Sequence, residues 1–366
     1  MDTSDPDIEF DSSGVCHHCQ DAEKLLKIPP YCSTPAEKEK LLHKIVEQVK
    51  KEGLGKKYDC IIGVSGGADS TYLAYLAKKL GLRPLAVHLD NGWDSETAVR
   101  NIELVLKSLD IDLFTHVIDW EEFKDLQISF LKASTPDSEI PTDHAIMTLL
   151  YQTAVKQKVR YVLIGFNSAT ESILPPAWSQ GHADWRYIRR IHQKFGTKPL
   201  KTFPHRSFWR DVCYRLVDRI CWVRLLNFYD YNKSEAIRIL HDELGWKSYG
   251  LKHYESVYTR FYQSYILPVK FNYDKRRAHF SSLIVSGQLS RQSALEELKK
   301  PPYDSAQAQE DREYILNKFG FSEEEFKALM KLPKKKFEDY PSYRTTVYYS
   351  FFRSIYRLMK KIGFLT

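Results

Sequence analysis

The sequence has few cysteines, no long apolar run and no leader-like start, and each absence excludes a class of protein. Among its 366 residues are six cysteines, of which only Cys16 and Cys19 lie close together, so we exclude a disulfide framework and expect thiols or metal ligands. No stretch approaches the roughly 18 apolar residues of a membrane-spanning helix, and the acidic residues 1–11 do not resemble a signal peptide. We therefore expect a cytoplasmic protein without a membrane span.

Charge and hydrophobic content favour a folded protein that handles anions. Hydrophobic residues make up 43% of the chain, which is enough for a full core and excludes a disordered protein. The formal net charge is +7, with acidic residues at the start and many Lys and Arg in the later part of the chain. This balance suits anionic ligands such as nucleotides, and charge alone also allows nucleic acid.

Short apolar runs and helical periods alternate along the first half of the chain. The predicted strands are residues 58–64, 84–89, 112–118 and 160–165, and the predicted helices between and after them are residues 69–80, 95–109 and 142–156. A capping box that begins at Thr34, with Pro35 at the first helical position, predicts an earlier helix that ends at Gly53. This alternation predicts an α/β fold with a doubly wound parallel sheet. Beyond about residue 185 the pattern becomes helical, aromatic and basic.

The loop after the first predicted strand combines glycines with hydroxyl and carboxylate side chains. Its residues are Val64, Ser65, Gly66, Gly67, Ala68, Asp69 and Ser70. Two adjacent glycines between a buried strand and a helix let backbone N–H groups converge on phosphate oxygens, while Ser65 and Ser70 add hydroxyl donors. Asp69 can hold a magnesium ion against bound pyrophosphate. The alternative is a tight turn that only caps the helix, and a Walker loop is excluded because its sequence does not occur.

This loop resembles that of the PP-loop ATP pyrophosphatases, whose Ser-Gly-Gly-x-Asp-Ser sequence binds the β- and γ-phosphates of ATP. The resemblance implies a PP-loop (HUP-like) fold, ATP and Mg²⁺ as cofactors, and transfer of AMP to a substrate oxygen. It implies further nucleotide-binding residues at two strand ends, namely His88, Asp90, Asn91, Gly165 and Asn167. It also implies Glu171 as a second magnesium ligand beside Asp69. The residues alone allow Asp90 to stabilise a turn and Glu171 to be an ordinary acid at a helix N-terminus.

Further segments resemble the N-acetyl sugar amidotransferase family (WbpG/PseA-like) of bacterial surface-polysaccharide synthesis. They are MDTSDP at 1–6, FD at 10–11, GVCHHC at 14–19, GW at 245–246, YG at 249–250, KHYES at 252–256 and DKRRAH at 274–279. The resemblance covers roughly residues 1–305. It implies that the acetamido carbonyl of a nucleotide-linked N-acetyl sugar is adenylated and its oxygen replaced by ammonia, which yields an acetamidino sugar for lipopolysaccharide O-antigen or a related glycan.

Basic and polar residues in the later part of the chain are candidates for the transfer chemistry. With Asp69, the predicted catalytic set is the cluster that would neutralise the departing pyrophosphate, Lys275, Arg276, Arg277 and His279. On composition alone, a solvated basic helix face is an equal alternative for this cluster. The candidates for sugar contacts are Asp143, His144, Trp178, His182 and Asp184, with Lys252 and His253 from the C-terminal motifs.

The sequence contains no recognisable built-in source of ammonia. It has neither a cysteine at the N-terminus nor a Gly-x-Cys-x-Gly nucleophile strand, so ammonia must come from outside. The family resemblance implies a separate HisH-like glutaminase, often with a HisF-like companion. Residues 343–362 are a candidate surface for docking of this glutaminase, and packing inside the chain is the alternative. The apolar residues at helical spacing in this segment are Val347, Tyr348, Phe351, Phe352, Ile355 and Met359.

Cys16 and Cys19 form half of a structural zinc site. A tetrahedral site needs two more ligands, for which His17, His18 or Cys32 are doubtful substitutes. Members of the family usually carry a second Cys-x-x-Cys pair upstream of residues 2–3, and this sequence begins after it. We therefore expect either a shortened start or weak or absent zinc.

These observations divide the chain into three predicted parts. They are residues 1–54 with the Cys-x-x-Cys segment and lead-in helix, residues 55–185 as the PP-loop domain, and residues 186–366 as a helical substrate and partner region. Two other functions are compatible with the loop: a tRNA-modifying PP-loop ligase or thiolase, and a non-catalytic nucleotide-binding subunit. Binding to tRNA would fall steeply with salt, and no appended RNA-binding domain is evident, so we expect no nucleic-acid partner.

Overall fold

A computed structural model of the protein describes residues 1–248, 254–349 and 351. A parallel sheet of five strands lies at its centre. The strands are β1 (Cys60–Gly63), β2 (Pro84–Asp90), β3 (Leu113–Val117), β4 (Tyr161–Ile164) and β5 (Cys221–Arg224). Their order in the sheet is β3-β2-β1-β4-β5, so β1 is central and the chain crosses from one side of it to the other between β3 and β4. In α/β sheets, ligands bind beside the carboxyl ends of the strands at such a switch point.

Helices surround the sheet and continue through the C-terminal part of the chain. They are α1 (His17–Leu26), α2 (Pro35–Glu52), α3 (Ala68–Lys79), α4 (Glu96–Ser108), α5 (Trp120–Ala133), α6 (Ile140–Lys156), α7 (Ser168–Glu171), α8 (Trp185–Phe195), α9 (Phe208–Leu216), α10 (Lys233–Leu244), α11 (Val257–Phe261), α12 (Lys275–Val285), α13 (Arg291–Lys299), α14 (Ser305–Phe319) and α15 (Glu323–Lys331). A π-helix occupies Tyr262–Phe271, and short 3₁₀ turns occupy Leu225–Phe228, Phe337–Asp339 and Tyr343–Thr345.

The two faces of the sheet bury two separate hydrophobic cores. Along β1, Ile61 belongs to the core that contains α5, α6 and α8, whereas Cys60 and Ile62 belong to the core that contains α2, α3, α4 and α10. Successive side chains of a strand point to opposite faces, so both faces of β1 are covered by helices. The predicted doubly wound α/β fold is confirmed.

The structure also extends the sheet beyond the predicted boundary at residue 185. The strand β5 pairs with β4, although the sequence analysis assigned its segment to a helical region. This edge strand has only four residues and is partly exposed, so it lacks the continuous apolar run of a buried parallel strand. The division of the chain into three parts remains a prediction.

Among the described residues, no helix combines the length and apolar character needed to cross a membrane. Much of the predicted docking surface at 343–362 lies outside the described residues, including Phe352, Ile355 and Met359. Of its described members, Val347 and Phe351 are exposed.

Candidate active site

The loop between β1 and α3 has a shape that requires glycine. Gly66 has a φ of +78°, and a Cβ atom there would lie 2.6 Å from the carbonyl oxygen of Ala98. The hydroxyl oxygens of Ser65 and Ser70 lie 3.2 Å apart across the loop. The N–H of Gly67 donates to Ser65 Oγ at 3.3 Å. The loop therefore gathers both predicted hydroxyls at the start of a helix.

The N-terminus of α3 suits a bound phosphate. Its first N–H groups have no partner within the helix, and the helix dipole favours negative charge at this end. Gly67 occupies the N-cap position and has no side chain to fill the space. On the other side of the loop, Trp246 Nε1 donates to the carbonyl oxygen of Gly66 at 3.0 Å. The loop is thus held in place by a residue from the C-terminal part of the chain.

The two predicted magnesium ligands come from neighbouring strand ends. Gly165 follows β4, and a Cβ atom there would lie 3.0 Å from the backbone of Asp69, so this strand end touches the start of α3. Asn167 caps α7 by accepting a hydrogen bond from the N–H of Thr170 at 2.9 Å. Its own N–H donates to Glu171 Oε2 at 3.2 Å. Asp69 and Glu171 are therefore positioned at the same edge of the sheet.

Tyr231, which the sequence analysis did not identify, contacts Asp69 of this pair. Its hydroxyl donates to Asp69 Oδ1, and its side chain is buried. Burial raises the pKa of Tyr231 far above its ordinary value, and the charges of Asp69 and Glu171 raise it further. Tyr231 therefore lies within the electrostatic field of both predicted magnesium ligands.

The donor set fits a magnesium ion that is shared with phosphate. Mg²⁺ prefers oxygen ligands and is commonly held by one or two carboxylates together with substrate phosphates. Asp69 and Glu171 would supply those carboxylates. Within the described part of the chain, no group of three or more His, Cys, Asp or Glu side chains could hold a metal ion by itself. The pair thus fits a metal that arrives with ATP.

The end of β2 brings a histidine against the loop. His88 Nδ1 lies 2.9 Å from the carbonyl oxygen of Val64, and Nε2 lies 3.1 Å from Asp94 Oδ2. Burial lowers the pKa of His88, but the hydrogen bond and charge of Asp94 outweigh burial, so the pKa is raised above 6.5. An imidazolium can donate to both oxygens at once. When it is protonated, His88 adds positive charge beside the predicted phosphate site.

Asp90 and Asn91 shape the turn that follows β2. Asp90 Oδ1 accepts from the N–H of Gly92 at 2.9 Å, and Asn91 Oδ1 accepts from the N–H of Trp93 at 3.1 Å. Such side-chain bonds to the backbone two residues on are typical of Asx-turns. Both residues thus have a structural task, and their contact with the nucleotide remains a prediction.

A solvent-open cleft lies between α7 and α12. Thr170, which precedes Glu171, lines one side together with Lys233. Lys275 and His279 line the cleft from α12. The cleft therefore joins the surroundings of the predicted magnesium site to part of the predicted basic cluster.

Two arginines of that cluster are already paired with acids. Arg276 also lines the cleft. It donates to both carboxylate oxygens of Asp274, with 2.7 Å between Nη2 and Oδ2. It also donates to the carbonyl oxygen of Lys300 at 3.0 Å. Arg277 forms an ion pair with Asp2. Because bidentate and paired guanidinium groups have much of their charge compensated, Arg276 and Arg277 are weak candidates for neutralising pyrophosphate.

Buried acids lie behind Lys275. Burial raises the pKa of Asp137, but His182 and Lys275 outweigh it and lower the pKa to about 2. Glu139 accepts from Gln263 Nε2 at 3.0 Å, and burial raises its pKa despite the charge of Lys275. The sequence analysis missed both acids, because they meet their partners from distant parts of the chain and belong to no local motif.

Several predicted sugar contacts are used inside the protein. His144 is fully buried, its Nδ1 donates to the carbonyl oxygen of His182 at 2.8 Å, and its Nε2 accepts from the N–H of Arg206 at 3.1 Å. Burial, with the charge of Arg206, lowers the pKa of His144 to about 3, so the ring is neutral. Asp143 is half-exposed and lies 3.4 Å from His182 Nε2. Of these two neighbours, only Asp143 is accessible to a substrate.

Trp178 and Asp184 also have structural contacts. Trp178 is fully buried and stacks on Tyr273, with 5.1 Å between ring centroids. Asp184 is buried and caps α8 by accepting from the N–H of Tyr187 at 2.9 Å. The structure argues for structural roles of His144, Trp178 and Asp184 in place of sugar contacts, because a sugar binds at an accessible surface. Lys252 and His253 lie outside the described residues.

Cys16 and Cys19 lie side by side near the N-terminus, with 3.4 Å between their sulfur atoms. Burial raises the pKa of the Cys19 thiol to about 11, and Cys16 adds to this effect. His18 Nε2 lies 2.5 Å from Asp5, and His17 Nδ1 accepts a backbone N–H. Among the described residues no group of three ligands includes this pair, so the possible zinc site has no support.

The sheet order, the loop after the central strand and the carboxylate after β4 define a protein of the PP-loop ATP pyrophosphatase class. Residues 37–177 match the family described as NAD synthase. Residues 255–356 match the family described as LPS biosynthesis protein WbpG-like, C-terminal domain. These two matches support a WbpG-like protein of the PP-loop class.

Relatives are known from other organisms. An uncharacterized protein of Methanocaldococcus jannaschii is 26% identical over 302 residues, which is 80% of this chain and 88% of the relative. A tRNA(Ile)-lysidine synthase of Chlamydia pneumoniae is 45% identical over 49 residues, which is 13% of this chain and 15% of the relative.

Solved structures show limited likeness. The NMN synthetase from Francisella tularensis is 16% identical, with 68% of this chain and 96% of that chain covered and a TM-score of 0.29. The U34-tRNA thiolase NcsA from Methanococcus maripaludis is 12% identical, with 71% and 80% covered and a TM-score of 0.34. At such scores the likeness says nothing about the substrate.

Proposed function

We propose that the protein is an ATP-dependent amidotransferase, a C–N ligase that forms AMP and pyrophosphate while it converts the acetamido group of a nucleotide-linked N-acetyl sugar to an acetamidino group. One observation carries this proposal. The helix α12, within the region that matches the WbpG-like C-terminal domain, lines the same cleft as Thr170 beside Glu171. This cleft supports the proposal because it places part of the WbpG-like region beside α7, the helix that carries the predicted magnesium ligand Glu171.

The reaction needs activation because an amide carbonyl is a poor electrophile and its oxygen a poor leaving group. Attack of the carbonyl oxygen on the α-phosphorus of ATP forms an O–P bond and releases pyrophosphate. Ammonia then adds to the carbon, loses a proton, and expels AMP together with the original oxygen. The product is an acetamidino sugar for a lipopolysaccharide O-antigen or a related surface glycan.

Named residues have roles in this scheme. The loop N–H groups, Ser65 and Ser70 bind the departing pyrophosphate, because donors aimed at developing charge stabilise the transition state. Asp69 and Glu171 hold the magnesium ion, which supplies charge neutralisation when it is bound. Lys275 and His279 line the α12 side of the cleft and are the candidates for neutralising the pyrophosphate.

Ammonia comes from a separate protein in this proposal. A HisH-like glutaminase, with a HisF-like companion in some systems, is the partner that the family resemblance implies. Free ammonium at high concentration should then replace the partner, because the ligase itself needs only ammonia.

Mass spectrometry tests the proposal directly. The protein is incubated with ATP, Mg²⁺, an ammonium salt and candidate nucleotide sugars, including UDP- and CMP-linked acetamido sugars. We expect AMP and a sugar that is lighter by about one mass unit, because an NH group replaces oxygen. Omission of ammonium is the matched control and should abolish the mass change. Formation of ADP, or AMP release without any change in the sugars, would contradict the proposal.

A second candidate function is a ligase that modifies tRNA. The 45% identity to a tRNA(Ile)-lysidine synthase over 49 residues favours it, although that segment is only 13% of this chain. The two functions share the ATP chemistry and differ in the acceptor, so binding of tRNA separates them.

A further inference from the structure

Tyr231 reaches the predicted ATP site from a distant part of the chain. It lies between β5 and α10, and its ring packs against Tyr72 of α3, with 5.8 Å between ring centroids. Its side chain is 6% exposed, yet its hydroxyl donates to Asp69 Oδ1. A buried hydroxyl needs a partner, and here the partner is the predicted magnesium ligand.

The backbone of Tyr231 is anchored by a residue that follows α12. Gln288 Nε2 donates to the carbonyl oxygen of Tyr231 at 2.9 Å. Gln288 Oε1 accepts from the N–H of Lys233 at 3.2 Å. The segment that directly follows α12 therefore helps to fix the position of Tyr231, and α12 itself carries Lys275 and His279.

We infer that Tyr231 is a positioning residue that holds the carboxylate of Asp69 in the orientation that binds magnesium with ATP. Its hydroxyl donates to Oδ1 and so restricts rotation of the carboxylate. Hydrogen bonds to ligating carboxylates orient them, and their loss costs metal affinity. The inference rests on the ATP site of the proposed function and is independent of the sugar and of the ammonia source.

The substitution Tyr231→Phe tests this role because it keeps the ring and removes only the hydroxyl. Tyr75→Phe is a matched control: Tyr75 is also buried, and its hydroxyl also donates to a carboxylate, Glu243 Oε2, at 2.7 Å. Tyr75 lies in α3 but contacts α10, away from the loop. Binding of ATP to each protein is measured by titration calorimetry at a series of Mg²⁺ concentrations and without metal.

We expect Tyr231→Phe to raise the Mg²⁺ concentration that half-saturates ATP binding by about tenfold. Binding of ATP without metal should stay unchanged, since the loop itself is intact. Tyr75→Phe should leave the Mg²⁺ dependence unchanged. Asp69→Asn is the reference in which the carboxylate itself is replaced. The Mg²⁺ concentration that half-saturates ATP binding should be higher in Tyr231→Phe than in the wild type, and higher still in Asp69→Asn.

The outcomes separate this inference from the proposed function. An unchanged Mg²⁺ dependence in Tyr231→Phe, or equal shifts in both tyrosine variants, would overturn the positioning role. If Tyr231→Phe does not fold, Gln288→Ala decides instead: a shift in the same direction supports the role and no shift overturns it. If the wild type binds no ATP, the ATP site itself is wrong and the inference fails with it. Failure to modify a sugar while Mg²⁺-dependent ATP binding persists contradicts only the amidotransferase proposal.

Discussion

At the residue scale, the carboxylate of Asp69 is central to the proposed chemistry. Asp69→Asn keeps the size of the side chain but removes its charge, so the metal loses a ligand. We expect the rate of AMP formation to fall by at least about a hundredfold. The measurement is AMP release from labelled ATP, with Asp242→Asn, an exposed acid of α10, as the control that should keep its rate. An unchanged rate in Asp69→Asn would show that Asp69 does not act as a magnesium ligand in the reaction.

Gly66 provides a test of the loop conformation. An alanine there adds strain from its positive φ and a clash with the carbonyl oxygen of Ala98. Gly55 has a similar φ of +74° but no neighbour within 4 Å of an added Cβ atom. We expect Gly55→Ala to lower the free energy of unfolding by about 1–2 kcal/mol, and Gly66→Ala to lower it by more than that. Urea denaturation measures both variants, and equal losses would show that the close approach to Ala98 is not rigid.

Local sequence motifs predicted only one part of the candidate site. Ser65, Asp69 and Ser70 could be predicted because glycines, hydroxyls and a carboxylate stand together between a strand and a helix. Tyr231 could not, because its contact with Asp69 joins residues 162 positions apart and no local pattern reports such a contact. His144 illustrates the opposite case: a polar residue at a helix start suggests a ligand contact, whereas its burial and internal hydrogen bonds favour a structural role.

At the scale of elements, the stability that His88 of β2 provides through its hydrogen bonds to Val64 and Asp94 should depend on pH. The folded pKa of His88 is raised above its ordinary value of 6.5, with Asp94 opposing the effect of burial. Because the pKa of His88 is higher in the folded than in the unfolded protein, its interaction with Asp94 contributes fully to stability below pH 6.5. This contribution is lost as the pH rises through the folded pKa.

Asp94→Asn should remove this dependence. We expect it to lower the free energy of unfolding by about 1.5–3 kcal/mol below pH 6.5, because a hydrogen bond to a charged group is lost. The difference from the wild type should narrow as the pH is raised above that value. Urea denaturation across a pH series is the measurement, and a difference that stayed constant or grew with pH would show that His88 is not charged in the fold.

The elements themselves were predictable where their signals are local. The capping box at Thr34 and Glu37 is present as predicted, with 2.8 Å between the Thr34 N–H and Glu37 Oε2. The helix α5 was missed although Asp119 caps it and apolar residues recur along it, so a usable signal was overlooked. The edge strand β5 was missed for a physical reason, since its pairing with β4 depends on residues far away in the sequence.

At the scale of the whole molecule, salt dependence distinguishes a sugar from a tRNA acceptor. The net charge of +7 is modest for 366 residues. A protein that contacts many phosphates loses about 10³–10⁵ in affinity between 50 and 200 mM salt. We expect filter binding to show only weak association with tRNA and no such steep decline. Tight binding to tRNA with that salt dependence would favour the second candidate function.

The candidate site is assembled from parts of the chain that emerge from the ribosome at different times. The loop and Glu171 come first, whereas Tyr231, α12 and Gln288 are translated later. A polypeptide interrupted before α12 has the phosphate-binding loop but lacks the anchor of its tyrosine and one wall of the cleft. We therefore expect a polypeptide that ends before α12 to need more Mg²⁺ for ATP binding than the full chain does.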